Sequence, residues 1–216
     1  VVPISAGRHI YKREPSFPIA VACDPAFNFV YEANIRYLHH LGEVTYFSPL
    51  ADTSLPDAGF VYLPGGYPEL YLAALSANRQ MLQSIRRYVE SGGKLLAECG
   101  GMMYLCDEIR DKNGYVYPMA GVLHQSATME NMKLRLGYRT LLYNETRLKG
   151  HEFHYSRLVE QQNPLPSCAV AYTAKGVETD TPLYHYKNVW AGYTHLYWAD
   201  PVGNEWFTKF VIDGNI

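Results

Sequence analysis

No stretch of this 216-residue sequence is apolar for long enough to span a bilayer, and no secretion signal is recognisable, so a membrane is not an expected partner. No basic block occurs. Lys and Arg number 19 against 21 Asp and Glu, a formal net charge of −2, which argues against nucleic acid as a partner. Cysteine is scarce: Cys23, Cys99, Cys106 and Cys168 are scattered without a paired framework, as expected for a reducing cytoplasm. No Gly-x-x-x-x-Gly-Lys-Ser/Thr loop is present, so ATP binding is not assigned to this chain. Internal repeats and low-complexity segments are missing too. There is no initiator methionine; the chain opens Val1-Val-Pro-Ile-Ser-Ala-Gly and reads as a fragment of something longer.

What is present is alternation. Residues 1–16 are polar and Pro-containing, and read as a linker. Ile19 to Cys23 is a short continuous apolar run, the pattern of a strand buried on both faces. A helical pattern covers 30–41 and stops at Gly42. Val44 to Phe47 and Gly59 to Leu63 are further strands, the latter ending at Pro64-Gly65-Gly66. A helical region follows, broken near 76–78, and Ser91-Gly92-Gly93 closes it before a strand at 94–98. Strands alternating with helices through short turns predict a mostly parallel sheet in an α/β fold. The second half differs. Strand-like stretches at 136–143, 150–155, 169–172 and 189–193 predict a sheet extension with antiparallel members. Leu148-Lys149-Gly150 and Asp213-Gly214 read as turns, and 204–212 as a closing helix.

The chain is organised around Lys94-Leu-Leu-Ala-Glu-Cys99-Gly-Gly-Met-Met-Tyr-Leu105. An apolar strand runs into a cysteine, two glycines, and a new helical stretch. That is the pattern of a nucleophile elbow, with small residues (Ala97, Gly101) flanking the reactive side chain. A helix starting at Gly100 would aim its first N–H groups at the sulfur and lower its pKa. From spacing alone, a buried structural cysteine fits as well.

A nucleophilic cysteine needs a base, and there are eight histidines. His9 falls in the linker; His39 and His40 fall late in the first helix. His124 has no obvious support, and His185 sits in an alternating Tyr-His-Tyr strand. His151 and His154 would make a metal pair on a helix, but on a strand residues i and i+3 point to opposite faces. His195 follows the apolar stretch Val189 to Thr194, at the carboxyl end of a strand, where a base for Cys99 belongs. A hydrogen-bonded core histidine is the competing reading.

The motifs Ala22-Cys-Asp-Pro-Ala-Phe-Asn-Phe-Val-Tyr31, Leu63-Pro-Gly-Gly-Tyr-Pro-Glu69, Ala97-Glu-Cys-Gly-Gly-Met-Met-Tyr-Leu105, Gly150-His-Glu-Phe-His-Tyr-Ser156 and Tyr193-Thr-His-Leu-Tyr197 run in order along nearly the whole chain. So do Phe47-Ser-Pro-Leu-Ala-Asp52 and Leu136-Gly-Tyr-Arg139. Together they resemble the glutamine amidotransferase domain of cobyrinic acid a,c-diamide synthases. The resemblance implies a flavodoxin-like three-layer sandwich over 17–216, with Cys99 as nucleophile and His195 as its base. The backbone N–H groups of Gly100 and of the Gly65-Gly66-Tyr67 turn, whose glycines allow close approach, would form the oxyanion hole. The resemblance also implies glutamine as substrate, with the ammonia passing to an N-terminal ATP-dependent synthetase domain that 1–16 would join. That domain would use ATP and Mg2+ to amidate cobyrinate, hydrogenobyrinate or a related nickel tetrapyrrole. No cofactor or metal is implied for this domain itself.

One departure stands out. Many related amidotransferases place a Glu two residues after the histidine, and here that residue is Tyr197. Glu152 and Asp200 are the candidate supports for His195, while Glu98, facing away from Cys99 by strand alternation, reads as structural. Two other functions fit the same residues: a non-catalytic docking or tetrapyrrole-binding module, and a cysteine hydrolase on the same fold.

Overall fold

In the computed structural model, residues 17–213 are described, so the proposed linker at 1–16, with His9, and the end of the Asp213-Gly214 turn lie outside them. The strands are β1 (Pro18–Ala22), β2 (Glu43–Phe47), β3 (Phe60–Leu63), β4 (Lys94–Glu98), β5 (Glu108–Arg110), β6 (Val116–Pro118), β7 (Ser126–Thr128), β8 (Arg135–Tyr143), β9 (Thr146–His154), β10 (Arg157–Leu158), β11 (Val170–Thr173), β12 (Glu178–Thr179), β13 (Leu183–Tyr186), β14 (Val189–Gly192) and β15 (His195–Leu196). The α-helices are α1 (Glu32–Leu41), α2 (Leu72–Ala77), α3 (Arg79–Glu90), α4 (Gly100–Leu105) and α5 (Pro201–Thr208).

The main sheet has the order β13-β14-β4-β3-β1-β2. Every pairing in it is parallel except β13 with β14. Without the antiparallel edge this is the flavodoxin-like order, and the ligand crevice of such sheets lies beyond the carboxyl ends of the strands. The sequence shows why the sheet is covered on both sides: β3 and β14 are buried at every position. Alternate residues feed two cores. Ala20, Val61, Leu95, Ala97 and Ala191 pack with Leu75, Met81, Ile85 and Met102 from α2, α3 and α4. Ile19, Val21, Tyr62, Leu96 and Trp190 pack with Leu38 of α1 and with Trp206 and Phe207 of α5. The expected three layers are there.

The second half departs from the expected sheet extension. Of the second-half strands β14 and the antiparallel β13 join the main sheet; β12-β11-β8-β9-β15 form a separate five-stranded sheet and β10-β7-β5-β6 a four-stranded one. Leu148-Lys149-Gly150 is not a turn but the middle of β9, paired with Arg139, Thr140 and Leu141 of β8. The turn sits at Asn144, whose φ of 51° supplies the left-handed residue that a tight hairpin needs. The apolar stretch 189–194 is two elements. β14 stays in the main sheet, Tyr193 and Thr194 cross over, and His195 opens β15 against His151 in the second sheet. The closing helix starts three residues before the expected 204: Asp200 caps it by accepting from Gly203 N at 2.8 Å, with Pro201 in the first turn.

One buried side chain fixes the segment after His195. Asn34, on α1, donates to Leu196 O at 2.8 Å and accepts from Trp198 N at 2.9 Å. It satisfies two backbone groups that no ladder reaches. Asn34→Ala should therefore cost about 2–4 kcal/mol, the penalty for leaving two buried polar groups unpaired. Urea unfolding measures this; a loss below about 1 kcal/mol would show that the segment relaxes freely.

Candidate active site

Cys99 is held where strand becomes helix. Its N–H completes the parallel ladder to Gly192 O at 2.8 Å, and its own carbonyl accepts from Met103 N at 3.0 Å to start α4. Between these bonds the residue adopts φ 48° and ψ −106°, outside the usual regions for an L-residue. Such strain persists only where the surroundings over-determine it. Here all six residues of α4 are buried, and the helix packs so tightly on β3 that a Cβ at Gly101 would stand 2.1 Å from Leu63 O. The expected elbow is the observed geometry.

The loop after β3 joins the elbow to the histidine. The His195 ring lies on Gly65, where a Cβ would stand 2.2 Å from Cε1. Next along, a Cβ on Gly100 would stand 3.2 Å from Gly66 N. Gly66, Tyr67 and Gly100, the expected oxyanion donors, are thus on neighbouring backbone, Tyr67 leading into a short 3-10 turn at Pro68–Leu70. The Gly100 N–H acts to lower the Cys99 pKa. The Phe29 ring covers His195 from outside at 4.3 Å between centroids. The thiol itself donates to Phe153 O at 3.7 Å. That carbonyl belongs to β9, so the second sheet closes over the nucleophile.

Neither expected support meets His195. Glu152 is committed elsewhere: it pairs with Arg139, accepts from Thr181 Oγ1 at 3.0 Å, and lies 2.7 Å from His154 Nε2. Burial would raise its carboxyl, but His154 and Arg139 outweigh this and hold it below the usual range. Asp200 caps α5 and sits 3.2 Å from Lys149 Nζ. Tyr197 is 39 % exposed and packs edge-on against Tyr31. His151 packs on Tyr138, and His154 stacks on Tyr193 while its Nδ1 meets Ser156 O, so the pair shares no ligand site. Among the described residues no cluster of three His, Cys, Asp or Glu side chains suits a metal ion.

The carboxylate that does approach His195 is Glu98, whose Oε2 lies 3.9 Å from Nδ1. Alternation sends it to the face of β4 away from Cys99, as expected, and that face also receives the edge of the histidine. Tyr62 Oη donates to Glu98 Oε2 at 2.6 Å, and Leu196 N donates to Oε1 at 3.0 Å. Spacing could not show this, because Tyr62 and Leu196 come from β3 and β15.

Electrostatically the site is neutral at rest. Burial pushes the Cys99 thiol up to about 12, with Glu69 adding to the rise and Gly100 N–H opposing it. The expected lowering is overturned: Cys99 is only 5 % exposed, and a helix of one and a half turns does not compensate for desolvation. Burial pushes His195 down to about 3, aided by His151 and His154 and opposed by Glu152. Burial raises Glu98 to about 8 despite its two donors. A neutral Glu98 lends His195 no charge, which is why their proximity does not raise the imidazole. A cavity of about 580 Å³ opens beside Glu152 and His154, and neither Cys99 nor His195 lines it.

A strained cysteine at a strand–helix turn, a histidine at the next strand end and a glycine loop between them, on a flavodoxin-like α/β fold, are the parts that a cysteine-dependent amidohydrolase needs. Residues 18–202 match the model of the CobB/CobQ-like glutamine amidotransferase domain, and the chain belongs to that family. It is 40 % identical to hydrogenobyrinate a,c-diamide synthase of Pseudomonas aeruginosa over 83 % of this chain and 41 % of that protein. It is 38 % identical to cobyrinate a,c-diamide synthase of Clostridium acetobutylicum over 93 % and 46 %. The chain thus spans less than half the length of these relatives. Among solved structures, a glutamine amidotransferase superposes with a TM-score of 0.57 at 17 % identity, covering 89 % of this chain and 98 % of that one. A glutamine amidotransferase from Thermotoga maritima gives 0.54 at 12 %, covering 92 % and 83 %. At that identity the likeness is one of fold.

The raised thiol pKa has a direct readout. At neutral pH iodoacetamide should label exposed Cys23 before Cys99. The Cys99 rate should climb about tenfold per pH unit without levelling below about pH 10, because thiolate is the reactant. A diazoketone analogue of glutamine should reverse the order and label Cys99 first. Faster iodoacetamide labelling of Cys99 than of Cys23 at pH 7 would show that the thiol is more acidic than its burial allows.

Proposed function

We propose that this chain hydrolyses glutamine at Cys99 and supplies ammonia for the ATP-dependent a,c-diamidation of a cobyrinate-type tetrapyrrole. The observation that carries the chemistry is the Cys99 elbow at the start of α4, with the Gly65–Gly66 loop reaching from it to His195. In this reading Cys99 Sγ attacks the side-chain amide carbon of glutamine and its proton goes to His195. The oxyanion is received by N–H groups of Gly100 and of Gly66 or Tyr67, each donor contributing about 3 kcal/mol. His195 returns the proton to the departing ammonia, leaving a thioester. It then takes a proton from water, which attacks the thioester, and returns that proton to the Cys99 sulfur as glutamate leaves.

The acceptor half of the reading comes from the relatives. They are named a,c-diamide synthases, and more than half of their length lies beyond the match. ATP, Mg2+ and the tetrapyrrole belong, on this proposal, to that remaining part. Among the described residues no helix is long and apolar enough to cross a membrane, and all four cysteines are free, which supports a cytoplasmic enzyme. The closed, neutral site supports a further element: hydrolysis is slow until the synthetase part engages, so glutamine is not wasted.

The test is glutamine hydrolysis by the chain alone and by the full-length enzyme with ATP and a cobyrinate substrate. Slow turnover alone and at least tenfold faster turnover in the complete system are expected. Cys99→Ala should abolish it, and His195→Ala should lower it roughly 10²-fold with the fold intact. Full-speed hydrolysis by the chain alone would remove the coupling. Hydrolysis that survives Cys99→Ala would remove the glutaminase reading.

A further inference from the structure

His195 presents an unsolved problem in hydrogen bonding. The residue is 2 % exposed, and its Nδ1 has no hydrogen-bond partner among the described residues. A buried ring nitrogen without a partner costs free energy and leaves the tautomer undecided. A base that receives the thiol proton on Nε2 must carry its resting proton on Nδ1, and an acceptor at Nδ1 is what fixes that choice.

We propose that Glu98, the residue immediately before the nucleophile, is the positioning residue of His195 and replaces the carboxylate that related amidotransferases carry two residues after the histidine. The proposal rests on the glutaminase reading above.

Three observations carry it. First, Glu98 Oε2 is the one carboxylate oxygen within 4 Å of a His195 ring nitrogen among the described residues, at 3.9 Å. Second, the carboxylate is held in place. Tyr62 Oη fixes Oε2 at 2.6 Å and Leu196 N fixes Oε1 at 3.0 Å, while each oxygen keeps a further lone pair. The Leu196 contact ties Glu98 to the residue next to the histidine, so the carboxylate stays beside the ring. Third, the alternatives are taken: Glu152 by Arg139, Thr181 and His154, Asp200 by the α5 N-terminus and Lys149, Tyr197 by Tyr31.

The remaining gap is small. Closing 3.9 Å to hydrogen-bond length takes about 1 Å of ring movement. Catalytic hydrogen bonds that are long without substrate commonly tighten when it binds. Displacement of the thiol from Phe153 O by a bound amide would accompany that movement. The titratable groups facing Glu98 are Tyr62, Tyr31 and His195, with Cys99 across the strand. Where Glu98 is already ionised, it stabilises the imidazolium formed when His195 takes the thiol proton. One strand would then supply both ends of the relay, its last residue and the elbow after it, and the neighbouring strand's continuation supplies the middle.

The test uses the full-length enzyme and has a readout independent of turnover. Selective 15N-histidine labelling, with His195 assigned by signal loss in His195→Gln, reports the tautomer. At about pH 9, where the Glu98 carboxyl is ionised, the His195 proton should be on Nδ1. Glu98→Gln keeps the shape and the Leu196 contact but turns an NH2 toward Nδ1, so the proton should move to Nε2. Its kcat should fall roughly 10- to 100-fold with KM little changed and unfolding temperature retained. Glu98→Asp should recover part of the loss. If Glu98→Gln does not fold, Tyr62→Phe, which removes the O–H on Oε2, should lower kcat at least threefold. A parent enzyme with the proton on Nε2, a tautomer indifferent to Glu98→Gln, or an unchanged kcat in the folded variants overturns the proposal. Failure of the glutaminase reading shows instead as hydrolysis indifferent to Cys99→Ala, and leaves the tautomer result standing.

Discussion

The backbone of Cys99 is the constraint on which the rest depends. A residue at φ 48° and ψ −106° stores about 1–3 kcal/mol of strain, and it stays there only because both its neighbours are fixed. On one side β4 is the centre of a covered sheet, paired to β3 and β14. On the other side α4 is buried at every residue and packs against the end of β3. The strand cannot continue and the helix cannot retreat. The sulfur is therefore placed by the two cores and does not depend on its own contacts.

The same burial that fixes the elbow silences it. Thiol, imidazole and carboxyl are each pushed toward the neutral form, because a closed apolar site penalises charge more than the available dipoles reward it. The thiol and imidazole shifts both oppose proton transfer from Cys99 to His195. A bound amide carbonyl changes that balance, since negative charge moves from sulfur to an oxygen facing backbone donors. On the proposed function, bound glutamine supplies the missing acceptor of charge.

The first half of the fold was legible because it is local. Buried apolar runs of four or five residues, a Gly or Pro at each end, and helices between them leave little choice of architecture. The closing helix was expected from 204, but the Asp200 cap and Pro201 start it at 201. The second half was harder because its pairings are long-range. Gly150 reads as a turn residue, yet it lies mid-strand because a Cβ there would stand 2.3 Å from His195 O. Close approach, not turning, is its reason. The site divided in the same way. Cys99 and the glycines around it declare themselves by adjacency. Asn34, Tyr62 and the Phe153 carbonyl act on His195, its segment or Cys99 from other elements, and a backbone carbonyl leaves no mark in a sequence at all.

These contacts place the site on a seam between two sheets. The main sheet contributes Cys99 and, through the β3 loop, Gly65 and Gly66. The second sheet contributes His195 at the start of β15 and the Phe153 carbonyl on β9, and β9 pairs with β15 at His151. The chain passes from one sheet to the other within Tyr193 and Thr194. A rigid shift of β8–β9 relative to the main sheet thus alters two things together: the hydrogen bond that holds the thiol, and the strand that carries the histidine. Neither sheet alone carries both Cys99 and His195. The segment Tyr193–Thr194, which joins the two sheets, therefore sets the position of His195 relative to Cys99.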